Sequence, residues 1–179
     1  MSEAKPGKEI VSLDPFEDAL LRLPLEVRNQ VPEDTSLEMV RAASKFYELA
    51  AAMPAVSGDA SADILLRVFN ATAFDEVDQA WRTTPDEELF DRDMEILEAT
   101  LHPSEFAGAM PVYAYVSAVD VKDGQVIGFS DGSMFVLAQL AQLYNLGVVP
   151  GVIVRLIRSK RPTAKGFYPH HLAIMGKRA

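Results

Sequence analysis

The sequence contains no cysteine, which excludes disulfides and thiolate metal sites and fits a reducing compartment. Histidine is scarce, three residues in all, and His170 and His171 are neighbours that a strand would point to opposite faces. With His102 far away, no metal site is expected, and no cofactor. No run approaches the roughly 18 apolar residues of a membrane span, and the opening MSEAKPGKEIVSLDPF lacks the apolar stretch of a secretory signal. The expectation is a soluble, cytoplasmic protein with no membrane partner. P-loop, zinc-protease and nucleophile-elbow motifs are missing as well, and nothing groups the serines and histidines into a triad. The sequence does not read as an enzyme.

A further absence is local. The final 29 residues, Gly151 to Ala179, contain no Asp or Glu, while seven of the 17 Lys and Arg fall there. The ten remaining bases face all 26 acids. A net charge of -9 thus divides into +7 over the C-terminal segment and -16 over the rest. Such segregation lets one small region face a polyanion that the remainder repels. Phe167, Tyr168, His170 and His171 lie in the same segment. A single-stranded nucleic acid groove needs this mixture, because phosphates want cations and unstacked bases want flat apolar faces.

With 179 residues, 49% of them apolar, the chain can bury the core of one compact domain with a helical extension. Met1 to Asp14 reads as a loose tail. Phe16 to Val31 reads as a helix that Pro24 must start, kink or end, and Pro32 closes it. Thr35 and Glu38 have capping-box spacing, and Met39, Ala43, Phe46, Ala50 and Met53 then recur at helical spacing. PAVSGDAS, residues 54–61, reads as a linker, followed by a helix from about Ala62 to Ala71. Thr84-Pro85-Asp86-Glu87 starts another helix.

Beyond this point β character takes over. Val112 to Asp120 reads as a strand, Asp123-Gly124 as a type I′ hairpin turn, and Gln125 to Ser130 as the returning strand. After the Asp131-Gly132 turn, Ser133 caps a helix with apolar Phe135, Leu137, Leu140, Leu143 and Tyr144, which Gly147 ends. Val152 to Arg158 and Phe167 to Met175 read as strands around a basic loop, Ser159 to Gly166. Met94 to Leu101 admits two readings. Phe90, Met94, Leu97 and Leu101 fit a helix continuing from Pro85. Asp91 and Asp93 are poor mid-helix residues, however, which favours a short helix to about Arg92 and then a strand.

With that strand the order becomes strand, strand, strand, helix, strand, strand, the order of the OB-fold, a five-stranded Greek-key barrel. The expected fold class is α+β. A helical N-terminal region, residues 1–83, precedes a small OB-like barrel, residues 84–179, with a helix between its third and fourth strands. Nucleic-acid sites on this fold use the face of strands 2 and 3 and the loops between strands 1–2 and 4–5. Here the 4–5 loop is RSKRPTAKG, and no nonapeptide of the chain is more basic.

Arg155, Arg158, Lys160, Arg161 and Lys165 are the phosphate candidates. The plainer reading is a solvated hairpin tip whose cations discourage edge aggregation. Tyr113 and Tyr115 share one face of the second strand and would stack bases if Val112, Ala114 and Val116 fill the barrel. Otherwise they are ordinary half-buried β-formers. Phe129 could join them from the third strand or belong to the core. Phe167 and Tyr168 would point to opposite faces of the last strand, so one of them should be exposed. Tyr168, in parity with His170, is the favoured one, and both it and His170 are binding candidates. The acids Asp86, Glu87, Glu88, Asp91, Asp93, Glu95 and Glu98 admit a Mg²⁺-nuclease reading. A charged helix start favoured by the macrodipole is the plainer one.

Several longer pieces stand out: AFDEVDQAWRTTPDEELFDRDMEIL, the pair of Asp-Gly turns, LAQLAQLYNLG followed by VVPGVIVRLI, and GFYPHHLAI. In these, from about Ala73 onward, the chain resembles a family of small OB-fold proteins encoded in phage and prophage replication regions. Some of its members are described as single-stranded DNA-binding. The resemblance implies a protein that binds single-stranded DNA without strong sequence preference, in a phage replication or recombination module of the host cytoplasm. Two departures stand out. Bacterial single-strand binders typically close on an acidic tail, whereas this sequence closes on GKRA, and the first 70 residues lie outside the resemblance. The expected partner is single-stranded DNA, with RNA left open. A protein docking on the acidic helical N-terminal region and a second copy of the chain are further candidates. The rival reading is an OB-fold protein-interaction module, an adaptor or inhibitor of a replication or transcription protein, because one fold hosts many functions.

Overall fold

The computed structural model describes residues 14–55, 68–74, 77, 84–104, 110–164 and 166–178. Short-range signals build its N-terminal helices. Asp14 caps α1 (Pro15–Leu21), its carboxylate accepting the Phe16 N–H at 2.8 Å. Pro24 cannot sit inside a helix and instead stands at the N-cap of α2 (Leu25–Arg28). The single helix expected over 16–31 is therefore two. Ser36 caps α3 (Leu37–Ala50), accepting the Met39 N–H at 3.2 Å, so the cap falls one residue after Thr35. Val40 and Ala43 of α3 pack with Ala19, Leu23 and Val27. One turn on, Phe46, Ala50 and Met53 enter the core beneath the sheet, so α3 shares one core with the strands. The linker expected at 54–61 and the helix from Ala62 fall mostly outside the described residues, as does the expected boundary at residue 83.

A four-residue helix, α4 (Asp86–Leu89), leads into five antiparallel strands: β1 (Asp93–Pro103), β2 (Val112–Asp120), β3 (Val126–Asp131), β4 (Val152–Arg158) and β5 (His170–Lys177). Helix α5 (Met134–Asn145) lies between β3 and β4. Met94 to Leu101 is strand. Asp91 adopts φ 66° immediately before it, a left-handed conformation that breaks a helical path and that Asp tolerates better than most residues. A register shift at Leu97 then resets parity, so that Ile96 and Ala99 both face the core. The β2–β3 connection spans Val121 to Gln125, with the Gly124 N–H donating to the Asp120 carbonyl at 2.9 Å. Only Gly124, at φ 74°, is left-handed in this turn, whereas type I′ needs two such residues; the expected two-residue turn does not form. Gly147, at φ 65°, ends α5 as expected.

The strand order is β3-β2-β1-β4-β5. One face of the sheet and the inner side of α5 bury Phe129, Ile96, Val116, Leu156, Leu137 and Leu140 completely. Strands β3 and β5 remain edges, and the sheet is not closed into a barrel. This corrects the expectation of a barrel, and the physical reason is that other groups already occupy the two edges. The Gln139 carboxamide accepts the Leu172 N–H and donates to the Leu172 carbonyl, both at 2.7 Å. The Ser133 hydroxyl donates to the His170 carbonyl at 2.9 Å. On the other edge the Thr84 N–H donates to the Gly128 carbonyl at 2.7 Å. Each of these bonds removes a backbone group that β3 and β5 would otherwise offer each other.

Candidate nucleic-acid interface

The β4–β5 hairpin holds the C-terminal cations, but its two ends have different surroundings. At the sheet end, Arg155 stands opposite Asp93 in register and donates from Nε to its carboxylate at 2.8 Å. That hydrogen bond, with the Asp93 charge behind it, raises the guanidinium pKa further. Arg178 reaches Glu95 at 2.7 Å. Nearby, Arg92 meets Asp120 at 2.6 Å and Asp123 at 3.7 Å. Burial pushes the Asp120 carboxyl upward, but hydrogen bonds from the Lys122 N–H and Arg92, together with the Arg92 charge, outweigh it and hold the pKa below the ordinary value. Arg155 therefore stands as a structural cation whose charge a neighbouring strand already meets.

At the loop end, Arg158, Lys160 and Arg161 make no ion pair among the described residues. The Arg158 guanidinium lies 4.6 Å from the centroid of the Tyr168 ring, a cation–π distance. Lys160 and Arg161 are exposed, and neither makes an ion pair among the described residues. Lys165 lies outside the described residues. Two hydroxyls shape the loop. Ser159 Oγ accepts the Arg161 N–H at 3.3 Å, and Thr163 Oγ1 accepts the Phe167 N–H at 3.2 Å. β5 begins at His170 rather than Phe167, so strand parity does not govern the two preceding rings. Both are exposed, Phe167 at 71% and Tyr168 at 41%, where the sequence suggested only one.

His170 roots the hairpin. Its Nδ1 lies 3.0 Å from Asp131 Oδ2, across the gap where a barrel would close. The other Asp131 oxygen accepts the Ser133 N–H at 2.6 Å. The His170 ring also meets Phe90 edge-on, with centroids 5.3 Å apart. Its geometry is that of a positioning residue, half-buried behind Tyr168.

Two clefts flank the exposed rings. One, of about 250 Å³, lies between α4 and the hairpin and is lined by Glu87, Phe90, Arg158, Phe167, Tyr168 and His170. The other, of about 500 Å³, runs along the end of β3 and the start of α5, where Met134 and Phe135 are exposed. Sequence reading missed Glu87, Phe90, Met134 and Phe135 as site residues. For Phe135 a signal existed: Val136, Leu137, Leu140 and Leu143 complete the inward side of α5 without it.

Tyr113 and Tyr115 share the face of β2 opposite Ala114 and Val116, as expected. Neither lines the hairpin clefts. Tyr115 is buried and presents no open ring face. Tyr113 is half-buried and stacks on His102, with centroids 5.1 Å apart and planes 16° from parallel. Phe129 is core.

Among the described residues, no group of three or more His, Cys, Asp or Glu could hold a metal ion. No helix among them is long and apolar enough to cross a membrane. Comparison of the chain with protein-family models, with curated proteins and with solved structures found no match.

Proposed function

We propose that the protein binds single-stranded DNA of broad sequence through the loop end of the β4–β5 hairpin. The observation that carries this reading is the Arg158 guanidinium over the Tyr168 ring, on a hairpin loop whose Lys160 and Arg161 make no ion pair among the described residues, beside a cleft that Tyr168 shares with the exposed rings of Phe167 and Phe135. The cations would track phosphates, and the rings would stack bases at about 1–3 kcal/mol each. The strand order supports the reading. An OB-type sheet opened between its third and fifth strands would have this order, and OB folds bind oligonucleotides beside the 4–5 loop. The resemblance to phage-encoded single-strand binders points to the same chemistry, in a replication or recombination module and without catalysis or a cofactor.

Fluorescence anisotropy of a labelled poly-dT oligonucleotide, at low and high salt and with duplex DNA as competitor, tests this. Tight, salt-sensitive binding that duplex fails to compete is expected, and the Arg158→Glu, Lys160→Glu, Arg161→Glu triple variant should abolish it. Absence of binding at low salt would overturn the reading. The rival is protein docking on the helical half. The feature favouring it is a groove of about 840 Å³ between α1 and α3, lined by Arg41, Tyr47 and the ion pairs Arg22–Asp18 and Lys45–Glu48. Under that reading the triple variant would leave a captured protein partner in place.

A further inference from the structure

The smaller hairpin cleft holds an acid that phosphate binding does not use, beside one of the loop-end cations. Glu87 on α4 and Arg158 on β4 line the same space, yet no ion pair joins them, and Glu87 makes none among the described residues. A carboxylate and a guanidinium thus face one cavity with their hydrogen-bonding edges uncommitted to each other. The cavity is about 250 Å³, below the roughly 300–1,000 Å³ of pockets for drug-sized ligands, a size that suits one base rather than a run. Its walls are aromatic: Tyr168 under Arg158 and Phe90 edge-on to His170. The Glu87 charge repels a phosphate from the interior, while Lys160 and Arg161 attract it outside. A strand should therefore enter base first, with its backbone on the loop.

We infer that this cleft is a base slot that prefers guanine over thymine, a refinement that rests on the single-stranded DNA reading above. Guanine offers a carboxylate its ring N–H and exocyclic amine, and offers a guanidinium its O6 and N7 acceptors. The two demands fall on different edges of one base, matching two unlike groups in one cleft. Thymine has no exocyclic amine, and its single ring N–H is flanked by two carbonyls that a carboxylate repels.

The test compares two labelled oligonucleotides of about 15 nucleotides, a length near the upper site size of a single OB fold. One is all thymidine; the other carries a few isolated guanines, spaced to prevent self-association. The guanine oligonucleotide should bind about fivefold tighter or more, the lower end for a bidentate base contact. Glu87→Gln, at an exposed position, should lower that ratio severalfold while leaving thymidine binding intact or slightly stronger. Equal affinities would overturn the guanine slot and leave the single-stranded DNA reading standing. A guanine preference undiminished by Glu87→Gln would overturn the assignment to this cleft. Failure of both oligonucleotides to bind at low salt would bring down the underlying reading, and the slot with it.

Discussion

The two ends of the β4–β5 hairpin carry similar cations and meet different neighbours. At the sheet end, β1 runs beside β4 and supplies Asp93 to Arg155 and Glu95 to Arg178. At the loop end, Arg158 stands in the last strand pair, opposite His170, with its guanidinium over the Tyr168 ring, and Lys160 and Arg161 lie beyond that pair. One end spends its charge inside the fold, and the other presents it to solvent. A local excess of positive charge along a sequence is therefore not yet a positive surface. The partners that cancel it come from strands some sixty or more residues away, 62 between Asp93 and Arg155 and 83 between Glu95 and Arg178.

Several changes would break or sharpen this contrast. The largest effect should come from the loop end. Replacing Arg158, Lys160 and Arg161 by Glu should abolish oligonucleotide binding. Replacing them by Ala should flatten the dependence of log affinity on log salt by about 2, because each lost single-strand phosphate contact removes about 0.7 from the slope; anisotropy across a salt series reads this directly. Tyr168→Ala should cost about 1–3 kcal/mol of binding, the worth of one stacked base, and leave the thermal melt nearly unmoved.

Smaller effects belong to the neutralised end. The folded-state pKa of Asp120 lies below its ordinary value, so its contribution is present above the unfolded carboxylate pKa and is lost as pH falls through the folded one. Asp120→Asn should thus destabilise near neutral pH by about 1.5–3 kcal/mol, the range for hydrogen bonds to a charged group. In urea titrations at stepwise lower pH, the gap between variant and parent should close. Smallest of all, Arg155→Ala with Arg178→Ala should shift stability by about 0–1 kcal/mol per pair and change oligonucleotide affinity less than twofold (an order-of-magnitude bound). A large loss of binding in that double variant would mean that the sheet-end cations also touch nucleic acid.

The elements that could be read from the sequence were those fixed by near neighbours. The alternation in VYAYVSAVD, the stop at Gly147 and the aspartates around Arg92 each act within a few residues, and each predicted its element. Pairing between distant segments was not readable. Arg155 looked like a phosphate ligand because nothing in its own strand contains an acid. Tyr115 stayed open between stacking ring and half-buried β-former because alternation tells which face a ring takes, not what covers that face. The closed barrel was expected from strand order alone, whereas closure is decided by whether β3 and β5 still have backbone groups to offer. Ser36 and Thr35 are equally able caps, and only the path of α3 chooses between them. Phe135 sat in an apolar helix that turned out to have more apolar residues than its buried side could accept.

The Gln139 carboxamide fills both hydrogen-bonding positions of Leu172, much as a peptide group of a neighbouring strand would. If β5 slid by one residue along β4, the amide groups of Leu172 would turn toward β4 and those of Ala173 would face the helix. Both ends of the carboxamide would then have to find new partners, and Leu172 would leave the core. The helix thus acts as a ruler that sets how far along β4 the returning strand lies. Because Tyr168 and His170 come just before Leu172, a side chain buried against α5 sets the spacing between the rings and cations at the rim.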